Sequence, residues 1–381
     1  MARRREALIN RRVARGMSQE RLAEILGIDR STVARWEAGT TEPQPWQRPR
    51  LAEALDITLD ECDHLLTDDA EVARLEYAVR NPRSVDLGAV AVLREAVNDL
   101  AQRYDHTPSV SLLPEAGHYH NQVAFLREHA TSDPVRRALY GLEAQSAALM
   151  GQLLWDASQR RDVTHSVDYF DRAASAARQA GDYGVEAYAL LRKCFVALYG
   201  VKDAAAGASL AEQAGRLAHT AGQPALAGLA LVHLAEAHAM CGDRVACDRA
   251  LDSATDHLDA EAGAAGVAFT GVQFGRLSGS CHLSLGRPAR AADILEGTSR
   301  GMQTGEKSQA IVLANLALAH LRQRNIDAAA DALHRAIDIV ESTRAGGGLT
   351  VAFSAGREMA PWRAEPIVRD IHDRLLGLMA A

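Results

Sequence analysis

Residues 27–39, GIDRSTVARWEAG, carry Arg30 and Arg35 with Ser31 and Thr32 between them. Around a helix at about 100° per residue, Arg30, Ser31, Ala34 and Arg35 fall on one arc with Thr32 at its edge. Val33 and Trp36 fall on the opposite side. The outer arc is small or polar, the inner one bulky and apolar. A guanidinium is a planar fork of N–H donors that meets two acceptors at once, which suits a phosphate or the O6 and N7 edge of guanine. The chemistry on offer is recognition of anions and acceptor pairs.

Local charge supports the same chemistry. The 381-residue chain has a net charge of −7, but residues 1–50 hold 11 arginines against 6 carboxylates, a balance of +5. The remaining residues carry −12, 31 basic against 43 acidic. Charges are screened over about 8 Å at physiological salt, so the local balance decides which surface attracts phosphate, and double-stranded DNA is the expected partner of the first fifty residues. Thr41, Arg48 and Arg50 are the expected clamps on the next phosphates.

Signals for other chemistry are weak. There is no GxGxxG, no phosphate loop, no GxSxG and no HExxH, so neither catalysis nor a cofactor is expected. The five cysteines are odd in number and contain no CxxC pair, which points away from disulfides and zinc and towards a reducing compartment. The basic start lacks an apolar h-region, and PALAGLALVHLAEAHAM is interrupted by His and Glu. Neither export nor a membrane span is expected, so the expected location is cytoplasmic. GHYH, with His118 and His120, reads as a solvated helix end.

The elements that must position the arginines are helices, because period-2 Val/Ile/Thr runs are almost absent. The first helix covers about 4–15 and ends at Gly16. Ser18 caps a second to Leu26, Gly27 turns the chain, Asp29 caps the third and Gly39 closes it. A proline-punctuated loop over 40–50 leads to a fourth helix near 47–55, and Thr58 with Glu61 has capping-box spacing for a fifth ending near Leu66. Leu22, Ala23, Leu26, Gly27, Ile28, Val33 and Trp36 fit a helix-turn-helix. Ala23 is small where the helices cross, Gly27 takes positive φ, and the others form the core between them.

Residues 4–66, with SQERLAEILGIDRSTVARWEAG at their centre, resemble the Xre/Cro family of helix-turn-helix domains. The resemblance implies that the third helix, Arg30 to Ala38, enters the major groove, with Arg30, Ser31, Thr32 and Arg35 on bases or flanking phosphates. It also implies a phosphate contact from Gln19 and a structural pair between Arg12 and Glu37. One such helix reads few bases, so a homodimer on a two-fold operator is expected.

Beyond a helical linker at 67–86, an amphipathic helix covers 87–104, a loop 105–115 and helices about 116–131 and 133–159. Helix pairs then repeat. Aligning LANLALAHLRQRNIDAAADALHRAIDIV with LVHLAEAHAMCGDRVACDRALDSATDHL sets Ala317 on Ala235, His320 on His238, Leu333 on Leu251 and Ala336 on Ala254. These positions resemble the tetratricopeptide pattern. Its eighth place falls at Leu154, Phe195, Ala235, Gly279 and Ala317, at spacings of 41, 40, 44 and 38, longer than the roughly 34 of the standard repeat. His238, His282 and His320 share one repeat position, where packing is expected over metal binding.

Carried over residue by residue, the concave face of that family falls on Trp155, Gln159, Arg192, Tyr199, Glu236, Met240, Gln273, Arg276, Ser280 and Arg322. Trp155, Arg192, Tyr199, Glu236, Gln273, Arg276 and Arg322 are the expected contacts for a peptide or small-molecule effector. The expected chain is all-α: a five-helix head at 1–66, the linker at 67–86, a tetratricopeptide-like superhelix for sensing and dimerisation at 87–348, and a capping segment at 349–381 whose helix begins near Glu365. The arrangement is similar to RRNPP-type regulators, in which a repeat domain binds a signalling peptide. The alternative is a protein-interaction adaptor with a weak or degenerate DNA-binding head.

Overall fold

All regular elements of the described residues are helical. The computed structural model describes residues 5–66, 69–259, 268–302, 305–344 and 346–380. The chain divides into two compact units, Met1–Leu93 and Arg94–Ala381.

The first unit opens with α1 (Glu6–Ala14), α2 (Gln19–Leu26), α3 (Arg30–Glu37), α4 (Arg48–Leu55) and α5 (Leu59–Leu66). Their termini follow from local chemistry. Ser18 Oγ accepts from the Arg21 amide at 3.1 Å, and Gly16, Gly27 and Gly39 all take φ near +70°, a region that costs glycine nothing. Thr58 and Glu61 form the reciprocal capping box. Asp29 stands at the N-cap of α3 with extended backbone, but its side chain makes no capping hydrogen bond. Leu8, Leu22, Ala23, Leu26, Val33, Trp36, Leu51 and Leu55 form one buried core with Cys62 and Leu66. Next come α6 (Asp69–Arg80) and α7 (Leu87–Arg103).

In the second unit α8 (Ser109–His129) begins seven residues before the helix expected at 116. Pro114 therefore lies inside it, where its missing N–H leaves one helical hydrogen bond unmade. Burial of Ser109 and Leu112 on the same turns offsets that loss. The earlier start also corrects the reading of GHYH as a solvated end: His120 is mid-helix and buried, with Nδ1 3.0 Å from Ser146 Oγ.

Helix pairs follow: α9 (Asp133–Ala157) with α10 (Val163–Ala180), α11 (Tyr183–Phe195) with α12 (Ala204–Thr220), α13 (Pro224–Met240) with α14 (Arg244–Thr255), α15 (Gly271–Ser284) with α16 (Pro288–Arg300), and α17 (Lys307–Arg322) with α18 (Ile326–Thr343). The small residues stand where helices cross. Ala235 and Ala317 are fully buried, and a Cβ on Gly279 would lie 2.6 Å from Leu295 of α16. In the second pair, where Phe195 takes the small residue's place, the inner helix ends in a π-helical turn at Val196–Val201. His238, His282 and His320 sit on α13, α15 and α17 in turn.

A sixth pair was not expected. α19 (Gly346–Glu358) packs on α17 as an inner helix, α20 (Pro366–Ala380) packs on α18 outside it, and α19 spans the 348/349 point assigned to a capping segment. Three glycines at a helix start cost about 1 kcal/mol each relative to alanine, and tertiary packing explains them. A Cβ on Gly346 would meet the Asp156 carbonyl at 2.6 Å, and one on Gly348 would meet Ala310 Cβ at 2.6 Å. Each inner helix, α9, α11, α13, α15, α17 and α19, touches the next, and α19 returns to touch α9.

A buried polar clasp secures this closure. Asp156 on α9 accepts from Lys307 Nζ at 3.0 Å, Ser109 Oγ at 2.7 Å and the Gly346 amide at 2.8 Å. Lys307 also donates to Ser109 at 2.8 Å and lies 4.1 Å above the Tyr104 ring. Every charge is matched by a counter-charge or donor, which a buried ion pair requires if desolvation is not to dominate.

Candidate nucleic-acid interface and interior cavity

The outer arc of α3 lies open. Arg30, Ser31 and Arg35 are exposed, while Val33, Trp36 and Glu37 are buried. Arg35 folds along its own helix, donating to the Ser31 carbonyl at 3.3 Å and to Thr32 Oγ1 at 3.2 Å. Arg30 pairs with Glu20 at 2.7 Å, both side chains more than half exposed. Such a surface pair is weak in water, so a phosphate can displace Glu20. Arg50 is exposed. Arg48 pairs with Glu42 at 3.4 Å, and the Thr41 carbonyl accepts from Arg5 at 2.9 Å.

Several arginines of the basic segment are structural. Arg12 Nε donates to Glu37 Oε1 at 2.5 Å and its NH2 to Oε2 at 3.3 Å, both side chains buried. Gln19 donates to the same carboxylate at 2.6 Å. This bracing ties the end of α1 and the start of α2 to the end of α3 and holds the exposed arc rigid. Arg5, buried, donates to the carbonyls of Trp36 and Thr41 at 2.9 Å each and pins the chain leaving α3. Arg11 donates to the Leu55 and Asp56 carbonyls at the end of α4. The roles of Arg5 and Arg11 had no signal in the sequence, since an arginine's partners across 31 to 45 residues are set by folding.

The second candidate site is a cavity of about 480 Å³ inside the ring of inner helices. Of the expected effector contacts, Trp155, Arg192, Gln273 and Arg276 line it. Tyr199 and Glu236 bond to each other, with the Tyr199 hydroxyl donating to Glu236, whose other oxygen lies 2.7 Å from His233 Nδ1. Burial pushes the Tyr199 phenol well above its usual range, and burial outweighs the pull of Glu236 to lower His233. Arg322 is outside the cavity, paired with Glu358 of α19 at 2.8 Å and donating to the Leu283 carbonyl at 3.0 Å. Gln159, Met240 and Ser280 are not among the lining residues either.

Arg160, absent from the expected contacts, lines the cavity. It follows α9 with φ +64°, so no helical register reveals its direction. Its guanidinium stacks 5.4 Å from the Tyr199 ring centre, and that of Arg192 lies 4.7 Å from Tyr188 and 5.0 Å from Phe195.

No helix among the described residues is long and apolar enough to cross a membrane. Residues 8–62 match the helix-turn-helix family model, and the head is an Xre-type helix-turn-helix domain of the DNA-binding kind. A comparison with curated proteins finds no match. Distantly similar solved structures include the following two. A Rap protein complexed with Competence and Sporulation Factor is 10% identical over 76% of this chain and 98% of its own, with a TM-score of 0.44. PlcR of Bacillus thuringiensis, in complex with the peptide PapR7 and DNA, is 14% identical over 68% of this chain and 94% of its own, with a TM-score of 0.31.

Proposed function

We propose that this chain is a sequence-specific DNA-binding transcriptional regulator, with α3 in the major groove and an effector held in the cavity of the repeat unit. The observation that carries the reading is the exposed arc of Arg30, Ser31 and Arg35 on a helix braced from behind by Arg12, Glu37 and Gln19. Arg35 is the first candidate for a bidentate guanine contact and Arg30 the second, with Ser31 and Thr32 beside them. Thr41, Arg48 and Arg50 flank them as phosphate contacts. Gln19 already donates one amide N–H to Glu37, so its other N–H serves phosphate. A homodimer on a two-fold operator supplies the bases that one helix cannot.

Gel-shift and anisotropy titration of the full chain on its own promoter region test the reading. Expected are specific binding, a steep loss of affinity with salt, and collapse of specificity in the Arg30→Ala/Arg35→Ala variant. Sequence-independent binding, or none with or without added effectors, overturns it in favour of an adaptor.

A further inference from the structure

Three guanidiniums, Arg160, Arg192 and Arg276, border the cavity. Among the described residues none of them has a carboxylate at ion-pair distance. The Nε atoms of Arg160 and Arg192 are buried without a hydrogen-bond partner. The carboxylates nearest to hand are committed elsewhere. Asp156 is saturated by Lys307, Ser109 and the Gly346 amide, and Glu236 by Tyr199 and His233. Asp105 and Glu306 also line the cavity, but Asp105 is exposed, and Glu306, at the N-cap position of α17 without a side-chain capping bond, has its carboxylate accepting from the Ser308 hydroxyl at 3.3 Å.

All three side chains are half-buried, and a partly desolvated cation without a counter-charge is costly; burial lowers the Arg160 pKa, with Arg276 pushing in the same direction. Arg192 donates one N–H to the Tyr188 hydroxyl at 2.7 Å. Stacking on Tyr199, Tyr188 and Phe195 occupies guanidinium faces and leaves the remaining N–H edges, the two Nε atoms among them, for an acceptor. Trp155, Phe170 and Phe195 add flat apolar wall to the same cavity. Its volume of about 480 Å³ is that of a single small-molecule site.

We propose that the cavity is an anion site for a compact organic acid, a carboxylate or phosphate ester carrying an aromatic group, with Arg160, Arg192 and Arg276 holding the anion. The proposal rests on the effector reading of this cavity and narrows its ligand to a chemical class.

The test is calorimetry and thermal melting of the full chain at low salt with phenylacetate, phenyl phosphate, inorganic phosphate and the uncharged phenylacetamide. Expected is saturable binding of at least one organic anion, at least tenfold tighter than phenylacetamide and tighter than inorganic phosphate. Which organic anion binds more tightly distinguishes carboxylate from phosphate as the native headgroup. Arg192→Gln and Arg276→Gln each weaken that binding at least tenfold with helix content unchanged by circular dichroism, and Arg192→Lys recovers part of it. Arg276, half-buried, is the variant to rely on if Arg192→Gln unfolds.

Equal binding of phenylacetamide, equal binding by the Arg276→Gln variant, or no binding of either organic anion overturns the proposal. Promoter affinity is measured on the same preparations. Loss of the anion with promoter binding intact counts against the ligand class alone, and loss of promoter binding with the anion retained counts against the regulator reading alone.

Discussion

Among the arginines of the head, burial and partner separate those that hold the domain from those left to read. Arg12 and Glu37 are buried against each other, whereas the Arg35 guanidinium donates to Ser31 and Thr32 of its own helix. Truncating the two arginines should therefore give opposite phenotypes. Arg12→Met leaves Glu37 charged and poorly compensated in the core, a change worth about 3–5 kcal/mol. Urea unfolding should show that loss of stability, and an unchanged midpoint would mean that the pair does not brace α3. Arg35→Ala should leave the midpoint alone and weaken operator binding by about 10- to 100-fold, the equivalent of about 1–3 kcal/mol. Anisotropy on operator and scrambled DNA distinguishes a base contact from a phosphate contact, because only the former narrows the gap between the two.

Helix crossings in the repeat unit depend on missing side chains. Gly279 lets α15 approach α16 until Leu295 fills the space a Cβ would take. Gly279→Ala should cost about 1–3 kcal/mol through overpacking, read by chemical denaturation. The same substitution at Gly297, which has open space around it, should be neutral or stabilising. If both behave alike, the close crossing is not what selects glycine at 279. The π-helical turn at Val196–Val201 has a comparable role on α11, since it carries Tyr199 to Glu236 behind the cavity wall. A regular helix continuing from Phe195 would rotate that phenol away.

For the repeat unit as a whole, closure of the ring is the feature on which both stability and the cavity depend. Lys307→Met leaves Asp156 buried without its cation and should cost about 3–5 kcal/mol, while Asp156→Asn combined with Lys307→Met should cost less than the single change. A double variant as unstable as the sum of the single ones would sink the clasp. The unit should also lose stability in acid. Burial lowers the pKa of His120, His233 and His282 below the usual 6.5, so the unfolded chain binds those protons first. Stability is then full above about pH 6.5 and falls as the pH drops from there towards the folded-state values. Melting from pH 7.5 to 5 should show the decline, and His120→Asn should flatten part of it.

What the sequence determined by itself is everything encoded within a few turns of chain. The caps at Ser18 and Thr58, the turn at Gly27, the two faces of α3, the Arg12–Glu37 pair suggested by family resemblance, and the small residues at Ala235, Gly279 and Ala317 were all legible. Apart from the Arg12–Glu37 pair, which the resemblance alone implied, they follow from helical periodicity and local hydrogen bonding, which neighbouring residues specify. Tertiary structure alone decided that α8 starts at Ser109, since burial of Leu112 overrides a proline. It also decided that a glycine triplet becomes α19, since contact with Asp156 and Ala310 overrides poor helix propensity. The same holds for the interior. Arg160 joins Arg192 and Arg276 because the inner helices close on themselves, and the same closure brings residues 109, 156, 307 and 346 together through hydrogen bonds that span up to 198 positions of chain. No local pattern carries that information; only the packed ring does.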